Sequence, residues 1–109
     1  MRYGFEGTLR AQPGRGPELL TILLEAAEQM RGMDGCELYV VGVASDDPDV
    51  IRVSEVWTSK AAHDESLSLP DVRALIGKAT PLMAARPSGT AWAPKGGKGL
   101  VGQRANDFV

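Results

Sequence analysis

The pattern of apolar and polar residues predicts a strand followed by a helix at the start of the chain. Residues 2–11 alternate between the two classes, which indicates a strand with one buried face. That buried face would carry Tyr3, Phe5 and Leu9. After a Pro- and Gly-rich break, residues 17–30 place apolar side chains at helical spacing, with Pro17 in the first turn and Gly32 as the expected C-cap.

The next two elements form a predicted antiparallel hairpin. Residues 36–44 and 50–57 have the composition of strands, and the polar segment 45–49 between them is the predicted turn. By simple alternation, one face of the first of these strands would carry Cys36, Leu38 and Val40, and the other Tyr39, Val41 and Val43. Helices would cover only one of these apolar faces. We therefore expect a homodimer, in which a second copy of the chain packs sheet to sheet on the other face.

The remaining elements complete an α+β pattern. A cap at residues 58–59 is expected to begin a second helix, which is interrupted and restarts at Pro70, and the segment SGTAWAP is a predicted fourth strand. The resulting order is the βαββαβ pattern of a ferredoxin-like sandwich. Residues 1–88 are assigned to this domain, and residues 89–109 to the short strand and a Gly-rich tail.

Composition narrows the class of protein. The chain has 109 residues, a net charge of -2 and no basic run, so no nucleic acid partner is expected. It lacks a membrane-length apolar run and a signal core, which predicts a cytoplasmic protein without a membrane partner. The single cysteine, Cys36, cannot form an internal disulfide, and it lies far from the only histidine, so no metal site is expected.

Two apparent motifs are rejected on context. Residues 97–102, GKGLVG, match the dinucleotide pattern G-x-G-x-x-G, but that motif requires a following helix, and only seven residues remain. A hydrolase triad would need Ser59 or Ser66 together with His63 and Asp64. We do not expect one, because neighbouring residues on a helix should point apart and no nucleophile-elbow sequence is present.

The segment SEVWTSKAAHDES, residues 54–66, contains the candidate residues for catalysis and ligand binding, and each has more than one interpretation. His63 is either a partly buried helix residue or a proton acceptor facing a pocket, since imidazole exchanges protons near neutral pH. Trp57 is either core packing or an aromatic pocket wall with a directional N–H donor. Glu55 shares the strand face of Trp57, where a carboxylate must be solvated, protonated or paired with an arginine. The possible partners are Arg10, Arg52 and Arg73.

This region, continued to residue 83, resembles the antibiotic biosynthesis monooxygenase family. The family pattern is a strand ending in Glu-x-Trp, a polar helix, and a Pro-bounded second helical piece that ends near Pro-Leu. The matching residues are Glu55, Trp57, Ala61, Ala62, Pro70, Pro81 and Leu82. The resemblance covers roughly residues 2–84 and implies a dimeric α+β barrel of ferredoxin-like subunits. It also implies a ligand pocket between the sheet and the helices, lined by the strand tryptophan.

The activity that the resemblance implies is a cofactor-independent monooxygenase, which oxidises an aromatic, quinol-like, hydrophobic small molecule with O2. The expected substrate-binding residues are Trp57, Tyr39 and Phe5, and the expected catalytic residues are His63, Ser66 and Glu55. Many family members carry a histidine nine residues past the tryptophan, where this chain has Ser66, so the role of that histidine does not carry over directly. His63, about one helical turn before Ser66, is the candidate for a shifted substitute. The alternatives are a non-catalytic small-molecule-binding or accessory protein on the same barrel, an isomerase, and a heme-degrading enzyme.

Overall fold

The computed structural model describes residues 1–100, which form a sheet of four strands covered by helices. The strands are β1 (Tyr3–Arg10), β2 (Cys36–Ala44), β3 (Asp47–Trp57) and β4 (Ser88–Trp92). The helices are α1 (Gly16–Met30), α2 (Lys60–Ser66) and α3 (Pro70–Ala79), followed by a short 3₁₀ helix, Thr80–Leu82. This order confirms the predicted ferredoxin-like βαββαβ fold, with α2 and α3 together in the place of the second helix. Residues 101–109 of the predicted Gly-rich tail, which include the last two positions of the GKGLVG segment, lie outside the described residues.

The sheet has the strand order β2-β3-β1-β4, and each neighbouring pair is antiparallel. Residues directly opposite each other in an antiparallel pair share a face of the sheet. Glu55 on β3 lies opposite Tyr39 on β2 and Phe5 on β1, so these three side chains form one row. The register therefore gathers three predicted site residues on a single face.

The helices cover that face through two apolar clusters. In the first, Leu19 and Leu23 of α1 pack with Ile51 and Leu82. In the second, Met30, Trp57 and Val72 pack together. Helix α1 reaches both clusters because its buried residues recur at helical spacing along one stripe. Burial of each large apolar side chain contributes about 1.5–3 kcal/mol, so these contacts dominate the stability of the fold.

A β-bulge corrects the face predicted for Cys36. Cys36 lies opposite Trp57 and Leu38 lies opposite Val56, so β2 carries one extra residue between the two pairs. A bulge of this kind inverts the alternation of side chains. Cys36 therefore packs against the cluster around Trp57 on the helix side, and the prediction that it shares a face with Leu38 and Val40 is wrong.

Two predicted boundaries also differ from the structure. Helix α1 ends at Met30, and its C-cap is Arg31 in a right-handed conformation. Gly32 is not among the glycines with positive φ, so it is not the expected C-cap. The hairpin turn is shorter than predicted, because β3 begins at Asp47 and leaves only Ser45 and Asp46 between the strands. Among residues 1–100, no helix is both long enough and apolar enough to cross a membrane.

Candidate functional site

A cavity of about 430 Å³ lies between the sheet and the three helices. Its walls are mainly apolar side chains with a few polar groups, which is the usual composition of a site for a small organic molecule. Among the predicted site residues, those that line it are Phe5, Tyr39, Glu55, His63 and Ser66. The structure thus brings five predicted residues together around one space.

Trp57, the sixth predicted site residue, is fully buried and does not line the cavity. Its ring packs in the cluster with Met30 and Val72. The indole Nε1 donates a hydrogen bond of 3.0 Å to Glu55 Oε1. Residues two apart on a strand point to the same face, which allows this hydrogen bond. Trp57 therefore orients the Glu55 carboxylate, which lines the cavity.

Glu55 is a partly buried carboxylate without an arginine partner in the described part of the chain. Arg10 pairs with Asp47 at 3.2 Å, while Arg52 and Arg73 are exposed and form no ion pair with Glu55. Burial raises the pKa of Glu55, and the bond from Trp57 and the nearby imidazole offset part of this effect. The protonation state of such a carboxylate depends more on the charge of nearby titratable groups than that of a carboxylate held in an ion pair with arginine.

Tyr39 forms the cavity wall on the other side of Glu55. Burial raises the pKa of its phenol, and the negative charge of Glu55 raises it further. The phenol therefore stays neutral at physiological pH. Tyr39 is suited to contact a ligand as an aromatic surface and as a neutral O–H group.

His63 lies on α2 and reaches into the cavity beside this row. Helix α2 begins at Ser59, whose side chain accepts a hydrogen bond of 3.1 Å from the amide of Ala62. The His63 side chain is 14% exposed, and its Nε2 lies 3.9 Å from Glu55 Oε1. Three aromatic rings surround the imidazole at centroid distances of 5.0–6.0 Å, namely those of Tyr3, Phe5 and Trp57. These contacts pack the imidazole into the cavity wall.

Asp64 contacts the other ring nitrogen of His63, so the prediction that these neighbours point apart is wrong. His63 Nδ1 lies 3.0 Å from Asp64 Oδ1, and Lys60 Nζ holds the same carboxylate at 2.8 Å. The bonds from Lys60 and His63 lower the pKa of Asp64, so it is ionised at neutral pH. Because a carboxylate only accepts hydrogen bonds, the neutral tautomer that fits this contact carries its proton on Nδ1 and leaves Nε2 as the basic nitrogen.

The two serines considered for the triad form hydrogen bonds that stabilise helix α2. Ser66 is only 1% exposed, and its Oγ donates a hydrogen bond of 2.6 Å to the carbonyl oxygen of His63. Ser59 caps α2. Neither hydroxyl is directed at the imidazole, and Ser66 instead supports the turn of helix that carries His63.

Two residues at the site were not predicted from the sequence pattern. Asp64 could have been found from Lys60 four residues earlier, a spacing that places the two on one side of a helix. Gly7 lines the cavity floor and could have been found as a glycine at an inward position of an alternating strand. Within residues 1–100, no group of three or more His, Cys, Asp or Glu side chains is placed to hold a metal ion.

Comparison with known proteins identifies the family of the chain. The family model described as antibiotic biosynthesis monooxygenase matches residues 3–78. A crystal structure from Chloroflexus aurantiacus J-10-fl, provisionally described as such an enzyme, has 42% sequence identity and a TM-score of 0.83, covering 92% of this chain and 99% of that chain. A similarly described structure from Deinococcus radiodurans has 27% identity and a TM-score of 0.76, covering 94% and 100% of the respective chains. No curated protein matches the sequence.

Proposed function

The chain belongs to the antibiotic biosynthesis monooxygenase family, and from this premise we propose that it oxidises an aromatic, quinol-like small molecule with O2 and requires no cofactor. The observation that supports this proposal is the pairing of His63 with Glu55 in the wall of an otherwise largely apolar cavity. The cavity offers aromatic surfaces for a flat ligand and one basic nitrogen for its proton.

The first step in the proposal is transfer of a phenolic proton from the ligand to His63 Nε2. Asp64 accepts the bond from Nδ1 and so keeps Nε2 free to act as the base. Once the imidazole is protonated, the Glu55 carboxylate at 3.9 Å stabilises its positive charge. Trp57 is a positioning residue in this scheme, because its N–H fixes the carboxylate that faces the imidazole.

The second step is the reaction of the resulting phenolate with O2. An electron-rich phenolate donates electrons to O2, and a carbon–oxygen bond forms at an unsubstituted ring carbon. Loss of the second phenolic proton and of the ring hydrogen, with cleavage of the O–O bond and return of the proton held by His63, gives a hydroxyquinone and water. The balance is hydroquinone plus O2 to hydroxyquinone plus H2O, so the substrate supplies every electron. Apolar walls protect the phenolate by keeping bulk water away from it.

Oxygen uptake with 1,4-naphthohydroquinone tests this function, with the spontaneous oxidation of the hydroquinone subtracted and with a chelator present. We expect His63→Ala to lower the enzymatic rate by roughly 10²–10⁴-fold, the range for loss of a general base. Glu65→Ala is the matched control, because Glu65 is an exposed residue on the same helix that does not line the cavity. A folded His63→Ala variant with the rate of the wild type would remove the assignment. Ligand binding without any oxygen uptake would instead identify a binding or accessory protein.

We also propose that the face of the sheet opposite α1, α2 and α3 is the interface of a homodimer. Val40 and Trp92 lie on this face and are 56% and 45% exposed, which is unusual for large apolar side chains on a sheet. A second copy of the chain would bury them. Size-exclusion chromatography with light scattering should give twice the chain mass, and Val40→Asp should shift the protein toward monomer. A monomeric wild-type protein at micromolar concentration would contradict the proposal.

A further inference from the structure

Gly7 occupies an inward position of the central strand β1, between Phe5 and Leu9 in the alternation. In the register it lies opposite Val53 on β3 and Gly89 on β4. Two adjacent positions on the cavity face of the sheet therefore lack side chains. Glycine inside a strand weakens the strand, and it often marks a site where a ligand or another backbone approaches closely.

The two glycines differ in what occupies the space above them. A Cβ atom at Gly89 would collide with Cζ of Phe5, so the Phe5 ring already fills that space. A Cβ atom at Gly7 would have its nearest neighbours at ordinary contact distances, 3.5 and 3.9 Å from two ring carbons of Phe5 and 3.9 Å from the carbonyl oxygen of Ser88. Among the described residues, no helix atom approaches this position more closely, so the volume left by the missing side chain belongs to the cavity.

Backbone conformation does not account for the glycine either. Gly7 is not among the glycines with positive φ, so an ordinary L-residue fits its backbone. Packing also leaves room for at least a methyl group. Of the usual reasons for a glycine inside a strand, close approach of a ligand is the one that agrees with both observations.

We propose that Gly7 is a specificity-determining residue, whose missing side chain lets a fused aromatic ring system lie flat on the cavity floor beside Phe5. Phe5 connects this floor to the proposed base, because its ring centroid lies 6.0 Å from that of His63. One end of the ligand would then face His63, and the other would extend over Gly7. The inference rests on the proposed function only in taking this cavity as the ligand site.

Calorimetric binding of phenol, 2-naphthol and 2-hydroxyanthraquinone tests the inference, because these probes increase from one ring to three. We expect the wild-type protein to bind the three-ring probe most tightly. Gly7→Val should weaken binding of that probe by about 10- to 200-fold, the range for a small steric change in a hydrophobic pocket, and should leave phenol binding nearly unchanged. Gly77→Val is the control, because Gly77 is an exposed glycine on α3 that neither lines the cavity nor lies on the proposed dimer face, and no atom of residues 1–100 lies within 4 Å of an added Cβ.

The ring-size series separates this inference from general damage to the site. Equal weakening of all three probes by Gly7→Val, or no change in any of them, would overturn it. Circular dichroism checks the fold of each variant, and Gly7→Ala, which meets only ordinary contacts, serves if the valine variant does not fold. Size-dependent binding without oxygen uptake would refute the monooxygenase function and leave the role of Gly7 intact. Oxygen uptake without size-dependent binding would refute the role of Gly7 and leave the monooxygenase function intact.

Discussion

Glu37 on β2 and Glu55 on β3 are buried to nearly the same extent, with side chains 11% and 13% exposed. Their surroundings differ. Glu37 accepts a hydrogen bond of 2.9 Å from the guanidinium of Arg2, in an ion pair at the start of the sheet. Glu55 accepts one N–H bond from the neutral indole of Trp57 and faces His63 across 3.9 Å.

The difference shows how one residue type on adjacent strands serves either stability or chemistry. A permanent positive charge beside Glu37 balances its burial, and arginine keeps that charge at any physiological pH. The charge next to Glu55 depends on whether His63 holds a proton. Glu55 is therefore coupled to a group that can change its protonation state, and it lies where a ligand would contact that group.

Of the changes at these two glutamates, Glu55→Gln should produce the larger effect, and the effect should fall on turnover. Glutamine still accepts the indole N–H, but it cannot stabilise a protonated His63, so kcat/KM in the oxygen-uptake assay should fall roughly 10²-fold. The free energy of unfolding, measured with urea, should change little. An unchanged kcat/KM would show that the Glu55 carboxylate has no part in the reaction.

Glu37→Gln should show the opposite result. Loss of the ion pair to Arg2 should lower the free energy of unfolding by about 1–2 kcal/mol, between the values for an exposed pair and a fully buried one. Turnover should match the wild type, since Glu37 does not line the cavity. If Glu37→Gln reduced kcat/KM as strongly as Glu55→Gln, the assignment of Glu37 to stability and Glu55 to the reaction would be wrong.

The smallest expected effect is a difference between the wild type and Glu55→Gln in how the free energy of unfolding depends on pH. Burial raises the pKa of Glu55 above its ordinary value of 4.5, so the folded chain holds this proton more tightly than the unfolded chain. The resulting stabilisation is complete below about pH 4.5 and is lost as the pH rises through the raised pKa of the folded state.

Urea denaturation between about pH 4 and about pH 8 measures this difference. The wild-type protein should lose stability relative to Glu55→Gln across this window, because only the wild type must ionise a buried carboxyl group at position 55. Parallel stability curves for the two proteins would contradict the predicted shift.

Local patterns in the sequence were sufficient to determine the order of elements. The helical spacing in α1 and the alternation in β1 depend only on residues close together in the chain, and both predictions agree with the structure. The segment from Glu55 to Ser66 also identified most of the polar groups around the cavity, because a charged residue on a buried strand face is visible in the alternation alone.

Tertiary structure decided what these residues contact. The bulge after Cys36, the lack of an arginine from residues 1–100 beside Glu55 and the burial of Trp57 behind the cavity wall all depend on pairings between distant segments. The contact between His63 and Asp64 depends on rotamers, which helical geometry leaves open. Sequence periodicity specifies which face a side chain is on, but its charge partner and its distance from a cavity are set only when strands and helices meet.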